Sequence, residues 1–259
     1  MTTTTGYFAP GSPTRTVIGD PAALVGGISA LYLQALHPRA MAGVLEHSSF
    51  PDEFWPRLNR TIQYVTALAF ADTATADEAI ARVRRIHRAV RGTDPVTGRP
   101  YAADDPDLLT WVHVCEVSSF STAVRRVGAI DDAQVDAFLA EQVRAAELLG
   151  ATGVPTSRAE VEAYFGRVRP ELVASPIAKQ AARRLLVPPM PWRVALFTPA
   201  RPAWAALASI AIGLLPDWAR RMYGIPVLPG SDLVTDASLR AVRAAALAAR
   251  RISGRRPPE

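Results

Sequence analysis

The sequence predicts an all-α protein with a single domain. Segments rich in alanine and leucine repeat their apolar residues at the 3.6-residue period of an α-helix, whereas alternating, strand-like runs are scarce. Apolar residues make up 49% and charged residues 20% of the 259-residue chain, a composition typical of a globular protein with a buried core. Because neither long connecting segment is a Gly/Ser-rich linker, we expect one helical domain over residues 18–252.

Capping signals mark the ends of many predicted helices. The predicted helices lie near residues 20–36, 38–46, 51–71, 76–91, 105–127, 131–149, 157–167, 170–187, 201–214, 216–223 and 235–252. Side chains that cap helix N-termini stand at Asp20, Asp105, Asp131 and Ser157, and the glycines that end helices are Gly92 and Gly150. We expect residues 1–17 to be flexible, 253–259 to be a disordered basic tail, and the proline-rich run VPPMPWRVALFTPARP to be an extended strap over the surface.

Charge and cysteine content limit the partners and the compartment. The formal net charge is +5, but acidic residues are interspersed and no basic block is long enough to predict a nucleic-acid partner. Cys115 is the single cysteine, which excludes an internal disulfide and a CxxC metal motif and fits a reducing compartment. The N-terminus has no basic start followed by an apolar stretch, so we expect no signal peptide and a cytoplasmic protein.

The longest uncharged apolar run is Ala203 to Leu215, between Pro202 and Pro216. As a helix it would span about 20 Å, short of the ~30 Å hydrocarbon core of a bilayer. It is therefore a buried helix or a surface anchor, which leaves weak peripheral contact with a membrane open but predicts no transmembrane segment.

All four histidines lie in the N-terminal half of the chain, each on or beside an apolar predicted helix: His37, His47, His87 and His113. The stretch RVRRIHRAVRG (82–92) surrounds His87 with arginines. On a helix, His87 falls on the apolar face with Ile80, Val83 and Val90, while Arg84, Arg88 and Arg91 form the adjoining stripe. This position is typical of a hydrogen-bonded core histidine, and equally places an imidazole where it can bind a metal.

Several kinds of site are excluded by missing motifs. The chain has no HExxH of zinc proteases, no GxSxG of hydrolases, and no glycine-rich nucleotide loop. A di-iron centre needs two Glu-x-x-His pairs, and only the reversed His113-Val-Cys-Glu116 occurs. A haem needs a single neutral imidazole, so haem is the natural candidate, with Arg84 and Arg91 beside His87 as partners for its propionates.

A second polar group lies in FWPRLNRTIQYVTALAF, where Arg57, Thr61, Tyr64, Val65 and Leu68 share one helix face. Arg57 and Thr61 then stand at the head of an apolar stripe. Either Arg57 extends to solvent and Thr61 bonds to a backbone carbonyl, or the two form a polar patch in an apolar pocket that acts on dioxygen.

These blocks together resemble one family. GDPAALVGGISALYLQALHPRAMAGVLEHSSF, RLNRTIQYVTALAF, RVRRIHRAVRG, GRPYAADDPDLLTWVHVCEV and ARRLLVPPMP occur in this order, over about residues 18–225. The chain resembles the oxygenases that include bacterial latex-clearing proteins (rubber oxygenases) and the fungal mycophenolic-acid oxygenase.

The resemblance implies a globin-like helical fold that holds non-covalent haem b and uses dioxygen to attack an alkene in an apolar chain, giving carbonyl products. It implies that His87 is the proximal iron ligand and that Arg57 and Thr61 lie near the haem, with Arg60 where the rubber oxygenases have a lysine. Glu46 is the nearest candidate for their catalytic glutamate. His113 and Cys115 stay open as further haem contacts.

The sequence thus predicts a haem-dependent oxygenase that acts with dioxygen on an apolar, isoprenoid or other alkene-containing substrate. The alternatives are a haem-dependent tailoring oxidase with a different outcome, a carrier or sensor of haem or lipid, and a haem-free helical protein.

Overall fold

The computed structural model describes residues 6–46 and 54–254, and it confirms the all-α, single-domain prediction. Thirteen α-helices, one short 3-10 helix (Arg169–Glu171) and one two-stranded hairpin make up the regular structure of these residues. The elements in chain order are α1 (Pro13–Gly19), α2 (Ala22–Gln34), α3 (Pro38–Glu46), α4 (Phe54–Phe70), α5 (Thr73–Ala89), β1 (Arg91–Thr93), β2 (Pro100–Ala102), α6 (Pro106–Arg126), α7 (Asp132–Leu149), α8 (Arg158–Val168), α9 (Pro176–Leu186), α10 (Trp192–Phe197), α11 (Ala200–Gly213), α12 (Asp217–Met222) and α13 (Ser231–Ile252).

The core is built around the close packing of α2 against α6. A Cβ atom on Gly26 of α2 would lie 2.5 Å from the carbonyl oxygen of Ser119 on α6, so only glycine allows the two helices to approach this closely. Trp111, Tyr32 and Phe138 are among the largest fully buried side chains at this centre. Helices α7, α9, α11 and α13 pack around the pair.

Predicted capping residues define several helix ends. The carboxylates of Asp105 and Asp131 accept backbone N–H bonds at the starts of α6 and α7, and the Ser157 hydroxyl does the same for α8. Gly150 ends α7 at φ +108°, a conformation that glycine adopts without strain.

Several helix boundaries differ from the prediction. A helix, α1, lies where a flexible N-terminus is expected, and its Val17 is fully buried. Asp20 separates α1 from α2 by accepting the N–H of Ala22, and the two helices meet at 87°. The predicted helix 170–187 begins only at Pro176, because Ser175 caps α9 there.

The predicted helix 76–91 is expected to end at Gly92. Instead, Gly92 lies in the first strand of a β-hairpin. Helix α5 stops at Ala89, and Arg91–Thr93 pairs antiparallel with Pro100–Ala102. The buried Asp94 carboxylate holds the turn, because it accepts the backbone N–H groups of Val96 and Thr97 and also the Thr97 hydroxyl.

The proline-rich strap is not wholly extended, since it contains the short helix α10. The apolar run after it forms α11, with Ala208 and Ala211 fully buried, so this segment packs as a helix on the domain. Among residues 6–46 and 54–254, no single helix is long and apolar enough to cross a membrane.

Some predictions fall outside the described residues. These are His47, residues 51–53 of the predicted fourth helix, the first five residues and most of the basic tail, 255–259.

Candidate functional site

An apolar cavity lies between α4, α5, α6 and α7, with α1 along one side. Its volume is about 60 Å³, so the walls lie close together in this structure. The lining residues are Phe8, Thr14, Ile18, Tyr64, Val65, Leu68, Ala69, His87, Leu109, Val112, His113, Glu116, Val117, Phe120, Gln142, Ala145 and Leu149. The wall is therefore aliphatic and aromatic, and two of its few polar side chains are histidines.

His87 enters this cavity from the last turn of α5. Its neighbour on the same face, Ile80, is buried, while Arg84 and Arg88 are exposed, as the helical pattern predicts. Burial lowers the pKa of the imidazole; the charge of Asp104 raises it and that of Arg57 lowers it further. A neutral imidazole, the form that binds a metal ion, is thus favoured at neutral pH.

His113 enters the same cavity from the middle of α6. Burial lowers the pKa of its imidazole to about 4, so the ring is neutral at physiological pH. Its Nε2 atom is buried and has no hydrogen-bond partner within the described part of the chain. An orphaned buried ring nitrogen is unusual in a folded protein and is typical of a site that takes a ligand.

Glu116 lies one turn after His113 on α6 and also lines the cavity. Its carboxylate accepts one bond from the Gln34 amide, at 3.4 Å, and burial raises its pKa to about 7. The Tyr64 hydroxyl on α4 is buried without a partner in the described residues, and burial and the charge of Glu116 both raise its pKa. Glu116 is not among the functional residues predicted from the sequence. Its position, three residues after a histidine on an apolar helix, nevertheless indicates that it lies beside His113.

Arg57 and Thr61 lie at the start of α4 and outside the cavity lining. Helices α4 and α5 are joined by two residues and pack together, so the first turn of α4 lies beside the last turn of α5. Arg57 accordingly lies close enough to His87 to affect its pKa, and its own pKa is lowered by burial and by Arg60. The Thr61 hydroxyl donates to the Arg57 carbonyl at 3.2 Å, the backbone bond that is one of its two predicted alternatives.

Three other predicted site residues have protein partners. Glu46, at the end of α3, is exposed and accepts a 2.6 Å bond from the Tyr101 hydroxyl, away from the cavity lining. Both terminal nitrogens of Arg91 donate to Asp104, at 2.8 and 2.9 Å. Arg84 donates to the Leu148 carbonyl at 3.3 Å, next to the cavity residue Leu149.

His37 and Cys115 belong to the core. The His37 ring packs against the Trp111 ring with 5.8 Å between centroids, and burial lowers its pKa to about 4. Cys115 has no accessible surface, and burial raises the pKa of its thiol. Neither side chain lines the cavity.

The donor set of the cavity suits a haem better than a bare metal ion. Residues 6–46 and 54–254 contain no group of three or more His, Cys, Asp or Glu side chains that could hold a metal ion. A haem supplies four iron ligands itself, and it needs one neutral imidazole, apolar walls and cations near its propionates. His87 and His113, the aliphatic wall, and Arg57 and Arg84 near the His87 side supply these groups. The cavity, of about 60 Å³, has to widen to admit the macrocycle.

Fold and site together define a class: an all-helical domain with a histidine-bearing apolar cavity inside the bundle. A family model described as "ER-bound oxygenase mpaB/B'/Rubber oxygenase, catalytic domain" matches residues 15–251. The chain therefore belongs to this family of oxygenases, as its sequence blocks predict. No curated protein and no solved structure matches the chain.

Proposed function

We propose that the protein is a haem b-dependent oxygenase that uses dioxygen to attack a carbon–carbon double bond of a small or medium-sized apolar substrate, such as an isoprenoid. The observation that carries the proposal is that two neutral imidazoles, His87 and His113, line one apolar cavity, and that the Nε2 of His113 has no partner among residues 6–46 and 54–254. Membership of an oxygenase family supports the same reaction class.

His87 is the proposed iron ligand. It lies on the last turn of α5, with Asp104 and Arg57 near enough to influence its pKa. Arg57 and Arg84, near the same end of the cavity, are the proposed partners of the haem propionates. Arg91 is a weaker candidate than the sequence predicts, because Asp104 occupies both of its terminal nitrogens.

When bound, the haem iron supplies the activation of dioxygen, and the protein supplies the surroundings of the reaction. Aliphatic side chains such as Leu68, Leu109 and Val117 exclude water and hold an apolar chain. Thr61 is proposed to act with Arg57 at the head of this pocket.

Glu116 is the proposed carrier of protons at the site. Glu116 lines the cavity one turn after His113, and the Gln34 amide donates to its Oε1 at 3.4 Å, which leaves Oε2 as the oxygen proposed to accept or release a proton. Near neutral pH both of its protonation states are populated, as a general acid–base group requires. Glu46, the candidate from the sequence, is held instead by Tyr101 at the hairpin.

Oxygen consumption by the purified haem-loaded protein tests the proposal. Squalene offers isoprenoid double bonds, and squalane is the same carbon skeleton without them, so it is the matched control. We expect dioxygen uptake and carbonyl products with squalene or a shorter isoprenoid alkene, and neither with squalane. Haem binding without any alkene-dependent uptake would favour a carrier or sensor, and oxidised products that keep the double bond would favour a tailoring oxidase.

A further inference from the structure

One segment of the chain, residues 172–216, carries a net charge equal to that of the whole chain. Residues 172–216 contain five cations, Lys179, Arg183, Arg184, Arg193 and Arg201, and no Asp or Glu, so the segment alone carries +5. The formal net charge of the whole chain is also +5. All five side chains are exposed, and none forms an ion pair with a carboxylate of the residues that the structure describes.

The same segment exposes large apolar side chains on α10. Trp192, Leu196 and Phe197 are 65, 70 and 72% exposed, and no residue of this helix is buried. The rings of Trp192 and Phe197 contact each other, with 6.2 Å between their centroids, and the Arg193 guanidinium lies 5.3 Å from the Trp192 ring. These side chains therefore form an apolar patch with a cation in it.

Two hydrogen bonds hold the chain just before α10, and one of them comes from Trp204 on α11, the helix that follows. The Trp55 indole donates to the Pro189 carbonyl at 2.6 Å, and the Trp204 indole donates to the Leu185 carbonyl at 2.8 Å. Trp55 and Trp204 also pack against each other, with ring centroids 4.9 Å apart. Trp55 and Trp204 thus fix the chain next to α10 to the domain, and α10 itself is exposed to solvent.

We propose that α10 docks on an anionic lipid surface, with Trp192, Leu196 and Phe197 inserted among the lipids and the exposed cations of α9, α10 and α11 drawn to the headgroups. Tryptophan and phenylalanine flanked by arginine are the residues that bind at the headgroup boundary of a bilayer, and the unpaired cations complement anionic headgroups. A second copy of the chain is a poor occupant, because a symmetric dimer through this face would oppose ten cations. The proposal rests on the outer surface alone and is independent of the proposed reaction.

Vesicle flotation with the purified full chain tests it. We expect the protein to float with vesicles of phosphatidylcholine and phosphatidylglycerol, and about tenfold less with phosphatidylcholine alone or at high salt. The variant W192S/L196S/F197S should lose binding about tenfold without a change in melting temperature, since its side chains are exposed. R193Q/R201Q should weaken binding to the anionic vesicles only.

The matched control is L233S/V234S on α13, where two residues that are 75 and 68% exposed lie beside Asp232. This variant should bind like the wild type. A wild-type protein that stays with no vesicle, or a triple variant that floats as well as the wild type, overturns the proposal. So does a wild-type dimer that the triple substitution converts to a monomer, with no vesicle binding in either form.

Discussion

The Tyr101 hydroxyl donates a 2.6 Å hydrogen bond to Glu46, and the two groups meet directly above the α-carbon of Gly92. This contact joins the end of α3 to both strands of the hairpin that follows the His87 helix. A Cβ atom at Gly92 would collide with both the Glu46 carboxylate and the Tyr101 hydroxyl. Glycine is therefore required here by close approach.

Gly92→Ala should destabilise the protein by about 1–3 kcal/mol, because the methyl group breaks this hydrogen bond. Chemical denaturation measures the loss. Gly166→Ala on α8 is the matched control, since a Cβ atom there meets nothing within 4 Å, and it should be neutral or slightly stabilising. Equal effects of the two substitutions would contradict the role of Gly92.

Glu116→Gln should raise stability at alkaline pH. Burial raises the pKa of Glu116 from 4.5 to about 7, so its contribution to stability is fully present below pH 4.5 and is lost as the pH rises through 7. Glutamine stays neutral and keeps an acceptor for Gln34. The free energy of unfolding of the variant relative to the wild type should therefore increase between pH 5 and pH 8, by up to roughly 3 kcal/mol.

Denaturation of both proteins across this pH range measures the difference. Glu147→Gln, which neutralises an exposed carboxylate of α7, controls for the change in net charge. A gain from Glu116→Gln that is the same at pH 5 and at pH 8 would show that the carboxyl group does not titrate in the folded state as described.

Arg57→Gln and Thr61→Val should lower turnover of an alkene substrate at least tenfold while changing the melting temperature little. The bond from the Thr61 hydroxyl to the Arg57 carbonyl duplicates an acceptor that α4 already satisfies, so its loss should cost little stability. Arg85→Gln, on the exposed face of α5, is the control and should leave both quantities unchanged. Parallel losses of melting temperature and turnover would assign Arg57 and Thr61 a structural role.

Local signals explain which parts of the fold the sequence predicts. Asp105, Asp131 and Ser157 cap helices through bonds to their own backbone neighbours, so their role is visible in a short window. The hairpin was missed because its strands are only three residues long and Gly92 looks like a helix end. Its need for glycine comes from Glu46, which lies 46 residues earlier in the chain.

In the candidate site, too, the features set by neighbours in sequence are predictable, and those set by distant residues are not. Helical periodicity predicts that His87 faces inward, since Ile80 and Val83 share its face. It cannot predict that Asp104 binds Arg91 or that Tyr101 binds Glu46, because the hairpin brings these partners together from elsewhere in the chain. Glu116 is the converse case, because a glutamate on a helix is normally solvated and only the cavity shows that this one is enclosed.

The absorption spectrum of the purified protein, produced in haem-supplemented cells, shows whether the protein binds haem and whether His87 is the iron ligand. The wild type should show a Soret band, and His87→Ala should lose it while its helical circular dichroism is unchanged, because His87 is only partly buried at the end of α5. His113→Ala, the matched loss of the other cavity imidazole, should retain the band. A wild type without a Soret band, or a His113→Ala variant that loses it while His87→Ala keeps it, would contradict the assignment of His87 as the haem ligand.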